Sequence, residues 1–295
     1  MNNTITAAFV QQFHDSFVED AAQKESRLEA TITSRGMING SSFTANDMGT
    51  VEMSQIVSRY STTTLSVPDA GVRQALMTDY AVAVPVDRYD VPKLLANPQG
   101  EYLRKTVNAA NRKKDAVIFS ALLSGALRKT SESGSYSSTA LSSYASGAQV
   151  IAAGGTGFTK AKIVQARKRF RANESDNHNG EELYIAYNAE MLEDILSDTT
   201  LTSADFMAVK MLQEGDVSSK WMGFTWVPYE AINLASSTYT TAAWSKSSLH
   251  FGYGFNTATD IGPRRDLNNL IQIYTDVSMG AVRVNEAKVV SISFV

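Results

Sequence analysis

The chain contains no cysteine. Disulfides, thiol nucleophiles and cysteine-ligated zinc or iron-sulfur centres are excluded together, and so is a small secreted fold held by bridges. Long apolar runs are missing too: none reaches the roughly 18 residues of a membrane-spanning helix. The first residues, MNNTITAAFVQQFHDSF, lack a basic start followed by an apolar stretch. No membrane span and no export signal are expected, and synthesis in the cytoplasm follows. A large excess of charge of one sign is missing as well. The formal net charge is -3 and no basic tail is present, which disfavours a conventional DNA reader but leaves local contact with nucleic acid open.

Histidine is rare. The 3 imidazoles, His14, His178 and His250, stand far apart, and none shares an HExxH or Hx3H spacing that would place two on one helix face. Each is best explained as a surface or satisfied core residue. The glycine-rich segment Ala152 to Lys160, AAGGTGFTK, fails the phosphate-loop pattern, because Gly157 is followed by Phe158 and Thr159 before Lys160. GYGFN at 252 to 256 lacks the third glycine of a dinucleotide fingerprint, so a turn or bulge explains it better. The carboxylates Glu181, Glu182, Asp205, Asp216 and Asp260 show no repeated metal-ligand spacing, and no GxSxG occurs among the many serines. No enzyme and no cofactor are expected. Arg167, Lys168, Arg169 and Arg171 form a basic cluster around Phe170. A solvated helix end explains it, with contact to nucleic acid as the sharper alternative.

What is present is enough to fold. Of the 295 residues 43% are hydrophobic and 19% charged, which is not the composition of a disordered chain. The length suggests about two domains. Phe9, Phe13, Phe17 and Ala21 recur every four residues through the first thirty, among Asp15, Glu19, Asp20, Glu25 and Glu29, giving an apolar stripe on an acidic helix. Such a helix docks on its own domain or on a neighbouring subunit. Val57 to Val67 and Tyr80 to Val86 are rich in β-branched and aromatic residues, and Pro68 to Gly71 between them reads as a turn. A projecting β-ribbon is expected there, with Pro85 marking an edge strand.

Glu101 to Leu127 carries Leu103, Val107, Ala110, Val117, Ala121 and Leu122 at helical spacing, with Lys114 as the break in the stripe. This is the long helix of the molecule. Its basic group, Arg104, Lys105, Arg112, Lys113 and Lys114, is a solvated face or a surface for nucleic acid or for acidic segments of neighbours. The small-residue stretch from 131 to 157 reads as a boundary or mobile connection. Beyond it Thr159 starts a helix with Ile163, Ala166 and Phe170 inward, Leu183 to Tyr187 is a buried strand, and Asn188 caps a helix over 189 to 196. A helix over 204 to 212, a strand over 222 to 227 and alternating strands to the last residue complete the pattern.

The stretch VPVDRYDVPKLLANPQGEYLRKTVNAANRKKDAVIFSALLSGA at 84 to 126, with its Asp87, Arg88, Tyr89, Asp90 cluster, resembles the major capsid proteins of tailed bacteriophages that share the HK97 fold. A second match is AWSKSSLHFGYGF at 243 to 255 with LIQIYTDVSMGAVRVNEAKVVSISFV at 270 to 295, similar to the family's return to the peripheral domain through a glycine-containing turn. The resemblance implies an α+β fold: an N-terminal arm over 1 to 33, an extended β-hairpin loop and its approaches over 34 to 83, and a peripheral domain with the spine helix over 84 to 131. An axial domain over 132 to 268 and return strands over 269 to 295 complete it. It implies a virion protein, made and assembled in the host cytoplasm, that self-assembles as pentamers and hexamers of an icosahedral capsid around double-stranded DNA. Phe9, Phe13 and Phe17 of the arm, and the basic residues of the long helix, are the implied assembly contacts. A separate scaffolding protein, a portal protein, a cement protein and non-specific contact with packaged DNA are the implied partners, with no membrane. No lysine lies between Glu25 and Lys93, so cross-linking through a loop lysine is not expected.

Overall fold

The computed structural model describes residues 23–56, 58–60, 62–63, 65–86, 98–197 and 220–295. The phenylalanine stripe, His14, the 87–90 cluster and the helix expected over 204–212 lie outside the described residues. The chain divides into a larger unit of Arg27–Thr78, Asp115–Gly254 and Met279–Val295, and a smaller one of residues through Ser26, Asp79–Lys114 and Phe255–Ser278.

In chain order come β1 (Thr33–Met37), β2 (Ser42–Met48), β3 (Ala70–Leu76), β4 (Thr78–Val86) and helix α1 (Pro98–Leu123). Then follow β5 (Ala126–Lys129), β6 (Ser137–Thr139), β7 (Val150–Ile151), α2 (Lys160–Ala172), β8 (Leu183–Tyr187) and α3 (Ala189–Ser197). The last are β9 (Lys220–Trp221), β10 (Phe224–Pro228), β11 (Asn233–Ala235), β12 (Thr238–Ser245), β13 (Leu249–Arg264), β14 (Leu270–Arg283) and β15 (Val289–Phe294).

The core of the larger unit is a seven-stranded sheet in the order β7-β15-β12-β8-β10-β9, with β11 beside β12. Its central strand β12 is buried from Thr241 through Ser245. Both faces are covered, so the run TAAWS does not alternate. The same holds for β15, where Ser291 is buried between Val290 and Ile292; alternation there reflects small residues, not solvent. Helix α2 packs against β15 and β7 through Ile163, Ala166 and Phe170, all fully buried, and Phe170 meets Phe224 of β10 edge-on at 5.8 Å. Thr159 is its N-cap residue, although the hydroxyl makes no capping bond. Asn188 does cap α3, its Oδ1 accepting from the Met191 amide at 3.0 Å. Within the stretch 131–157, Leu141, Gln149 and Ile151 are buried, and Gln149 O accepts from Ser291 N at 2.9 Å, while most of the other described residues are exposed.

The expected ribbon is paired differently. β2 runs antiparallel to β3, from Ser42 opposite Leu76 to Met48 opposite Ala70, and the sheet continues β3-β5-β6. The described residues between Val57 and Val67 form no strand, and Pro68–Gly71 leads into β3 instead of turning between strands. The β-branched residues of 57–67 do favour extended backbone, but a strand needs a partner in register. β2 has the alternation that fixes one, with Phe43 and Ala45 buried and Thr44 and Asn46 exposed. Phe43, Ala45, Ala75, Ala126 and Val282 form the core beneath. β4 is a strand as expected, and it stands at the end of the order β1-β13-β14-β4, where the missing amide of Pro85 is tolerated. Gly252 and Gly254 sit inside β13 and not in a turn. Gly280 likewise lies within β14; a Cβ there would fall 2.6 Å from Leu76 O, so close backbone approach accounts for the glycine.

α1 spans about 39 Å at 1.5 Å per residue. It stops at Leu123, so Leu127 belongs to β5. Its buried side chains are Thr106, Asn108, Ala110, Lys114, Asp115, Ile118, Phe119 and Leu122. Val117 is only half-buried. Lys114 is therefore part of the inner face and is withdrawn from the basic surface group. Asp115, fully buried, accepts from the amides of Arg27 at 2.9 Å and Leu28 at 3.3 Å. That contact replaces the helical amide bonds expected up to residue 30, and only the short turn Glu29–Thr31 follows. Ile118→Asp is expected to cost several kcal/mol, because a carboxylate would be desolvated without a partner, whereas Val117→Asp costs less. Thermal unfolding of the two variants measures the difference, and equal losses would put Val117 on the packed face.

Candidate assembly surface

In the larger unit, the connection from 49 to 69 carries Met53, Ile56, Tyr60, Leu65 and Val67, each more than four-fifths exposed. Five large apolar side chains in solvent on one segment are unlike the scattered exposure of an ordinary surface. Covering each stabilises by about 1.5–3 kcal/mol. β2 and β3 carry this segment, and the root of the pair is fastened by charge.

Arg73, in the middle of β3 and 3% exposed, donates Nη1 and Nη2 to the two oxygens of Glu286 at 2.5 and 2.7 Å. Its Nε reaches Asp47 Oδ2 at 3.1 Å, and Nη1 also donates to Arg283 O at 3.2 Å. Asp47 Oδ2 accepts from Arg128 Nε at 2.8 Å, and Arg128 Nη2 reaches Asp69 Oδ2 at 3.0 Å. Arg283, fully buried, donates to the carbonyls of Leu122, Ser124 and Thr139 at 2.8, 2.7 and 3.0 Å. Burial works to raise the Glu286 pKa, but the Arg73 bonds and the charges of Arg73 and Arg283 outweigh it and hold the carboxyl below its ordinary value. Burial lowers the Arg283 pKa, against the opposing charge of Glu286. Gly71 completes the root: a Cβ there would overlap Asp47 Oδ1 and lie 2.6 Å from Arg128 Nε. None of these ion pairs was legible as a site in the sequence. Arg73 and Glu286 are far apart along the chain, and the signal available was only a charged residue within an otherwise apolar strand pattern.

In the smaller unit the basic residues of α1 are sorted by the helix. Arg104 pairs with Glu101 at 2.8 Å, Lys105 is exposed, and Arg112 Nη1 donates to Gln23 O at 3.3 Å. Asn111 Nδ2 donates to Lys24 O at 2.9 Å. Lys113 Nζ sits 4.5 Å above the Tyr80 ring, a cation–π contact. Arg104, Lys105 and Arg112 share one side of the helix, Lys113 stands apart and Lys114 is buried. Phe9, Phe13 and Phe17 lie outside the described residues.

The segments tested for chemistry have other occupations. The loop Ala152–Thr159 points carbonyls inward, and Lys162 Nζ fills it, donating to Ala153 O, Thr156 O and Gly157 O at 2.9, 2.8 and 2.8 Å. A phosphate cradle requires amides aimed inward, so this loop has the opposite polarity. His250 Nδ1 accepts from Arg35 Nε at 3.1 Å, and burial, with the Arg35 charge, lowers its pKa. His178 lies in the turn Asn177–Asn179. Among the described residues no group of three or more His, Asp or Glu side chains could hold a metal ion, and no helix is long and apolar enough to cross a membrane.

Known proteins share this architecture over nearly its whole length. A solved structure from Mycobacterium phage Che8 superposes with a TM-score of 0.69 at 14% identity, covering 99% of this chain and 98% of that one. The capsid of the cyanophage P-SCSP1u gives 0.68 at 16% identity, with 100% and 96% covered. The capsid asymmetric unit of the cyanophage Pam1 gives 0.70 at 11% identity, with 98% and 97% covered. At such identities the likeness is one of fold, the α+β fold of HK97-like capsid proteins. No curated protein sequence matches the chain. The model of the family described as phage capsid protein matches residues 5–295, and the chain belongs to that family.

Proposed function

We propose that this chain is the major capsid subunit, self-assembling into pentamers and hexamers of an icosahedral shell that encloses double-stranded DNA. The single observation that carries the reading is the solvent-exposed apolar segment 49–69 on a ribbon whose root is locked by buried ion pairs. A rigid root with an apolar, unpartnered end is a contact element, and closed symmetric assembly covers many copies at once. In this reading residues 1–33 are the arm and 34–83 the extended loop. Residues 84–131 hold the spine helix α1 in a peripheral domain, 132–268 form the axial domain, and 269–295 return to the peripheral domain. The exposed side of α1 with Arg104, Lys105 and Arg112 is the surface an acidic arm would meet, and Phe9, Phe13 and Phe17 would supply its burial energy. A separate scaffolding protein, a portal protein and a cement protein are the partners this reading calls for, in a virion assembled in the host cytoplasm.

Electron microscopy and sedimentation of the expressed chain test the proposal. Closed shells are expected; rings or tubes would point to another virion component. Deleting residues 2–22 keeps Leu28 and the Asp115 contact, so the subunit is expected to unfold as wild type does while shell yield falls sharply. Undiminished shells would remove the arm from the assembly contacts.

A further inference from the structure

Helix α2 has a face for which neither the core nor the assembly reading has a use. Its 13 residues, KAKIVQARKRFRA, hold six cations and no carboxylate. The inward side is occupied by Lys162, Ile163, Ala166 and Phe170. At 3.6 residues per turn, Lys160, Val164, Arg167, Lys168 and Arg171 fall within about 100° of arc on the other side. Lys160, Lys168 and Arg171 are exposed. Arg171 Nη1 donates to the buried Asp176 at 3.0 Å, which fixes the guanidinium at the helix end, and Arg167 Nη1 donates to Gly223 O at 3.3 Å. Lys160, Arg167 and Lys168 have no carboxylate partner among the described residues. Arg167, Lys168, Arg171 and His178 border a shallow pocket of about 400 Å³, in which Asp176 is the one acid among the described residues.

We infer that this stripe of α2 is a sequence-independent binding site for the phosphate backbone of nucleic acid. Lys160 and Lys168 lie about 12 Å apart along the helix axis, a length covering three to four phosphates at about 3.4 Å of rise per nucleotide on one strand. The donors are flexible ammonium groups and an arginine fork, suited to phosphate oxygens. A protein partner would be expected to bury a large aromatic or apolar anchor, whereas the apolar side chains at this pocket are Val164 and Met222, neither of them aromatic. The shell reading supplies the reason such a site would be useful, and the inference rests on it in that respect alone.

The test is titration of the purified full chain, unassembled and in shells, with a labelled random-sequence duplex between about 50 mM and 200 mM salt. Three phosphates neutralised give a slope of log affinity against log salt of about -2.7, and Lys160→Glu with Lys168→Glu is expected to flatten it to about -0.9. Affinity at low salt is expected to fall at least ten-fold. Both side chains are exposed, so the fold should persist; Lys160→Gln with Lys168→Gln repeats the comparison with half the charge change. Lys246→Glu with Arg265→Glu, two exposed cations outside α1 and α2, controls for net charge and should leave the slope unchanged. Wild-type binding by the α2 variants, loss confined to the control variant, or preference for polyglutamate over the duplex would each overturn the inference. Shell formation, followed separately by sedimentation, is expected to survive the α2 substitutions. Failure of the wild-type chain to form shells would count against the capsid reading, and the duplex titration would still decide this one.

Discussion

Replacing Arg73 by alanine is expected to cost about 3–5 kcal/mol of stability, the toll of breaking a buried ion pair by removing one partner. Glu286, 4% exposed, would keep only the longer contact to Arg283 Nε at 3.5 Å. Asp47 would keep Arg128 alone. Both carboxylates would remain in a site too dry for an uncompensated charge. The pH dependence follows from the same geometry. Glu286 has a folded pKa below its unfolded value, in spite of burial, because the Arg73 bonds come with the charges of Arg73 and Arg283. Its stabilisation is therefore fully present above the unfolded value of about 4.3 and is lost as pH falls through the folded value. Denaturant unfolding at neutral pH and along the acid limb checks both statements: wild type should lose stability on acidification, and Glu286→Gln should lack that part of the loss. An Arg73→Ala protein as stable as wild type would mean that the ribbon root is held by its apolar core alone.

The second large effect is on assembly and spares the fold. Met53→Asp, Ile56→Asp and Leu65→Asp together place three carboxylates on a segment that the isolated subunit already exposes to water. The subunit is expected to unfold within about 0.5 kcal/mol of wild type, as exposed substitutions do. If a neighbour covers the segment, about 1.5–3 kcal/mol is lost per side chain. The sum corresponds to a weakening of each subunit contact by several orders of magnitude at about 1.4 kcal/mol per ten-fold. Shells should be absent in sedimentation and in micrographs while the soluble subunit keeps its unfolding midpoint. Normal shells would show that residues 49–69 stay in solvent after assembly.

The sequence by itself determined the elements whose signal is local. Helical spacing marked α1 and α2, the Asn188 side chain marked the start of α3, LYIAY was β8 to the residue, and Pro85 placed β4 at an edge. The missing ligand spacings and the misordered glycine loop were legible for the same reason, since a motif is a short-range pattern. Tertiary structure alone decided which extended segment paired with β3, why Lys114 and Asp115 are buried, and how Arg73 comes to hold Glu286. Those outcomes depend on groups separated by tens to hundreds of positions. Propensity acts over a few residues, whereas strand register and the desolvation of a charge are set by whatever partner the rest of the chain delivers. The exposed apolar side chains of 49–69 show the limit most directly: the composition of 57–67 promised a strand, and only the fold decided that Met53, Ile56, Tyr60, Leu65 and Val67 stand in solvent.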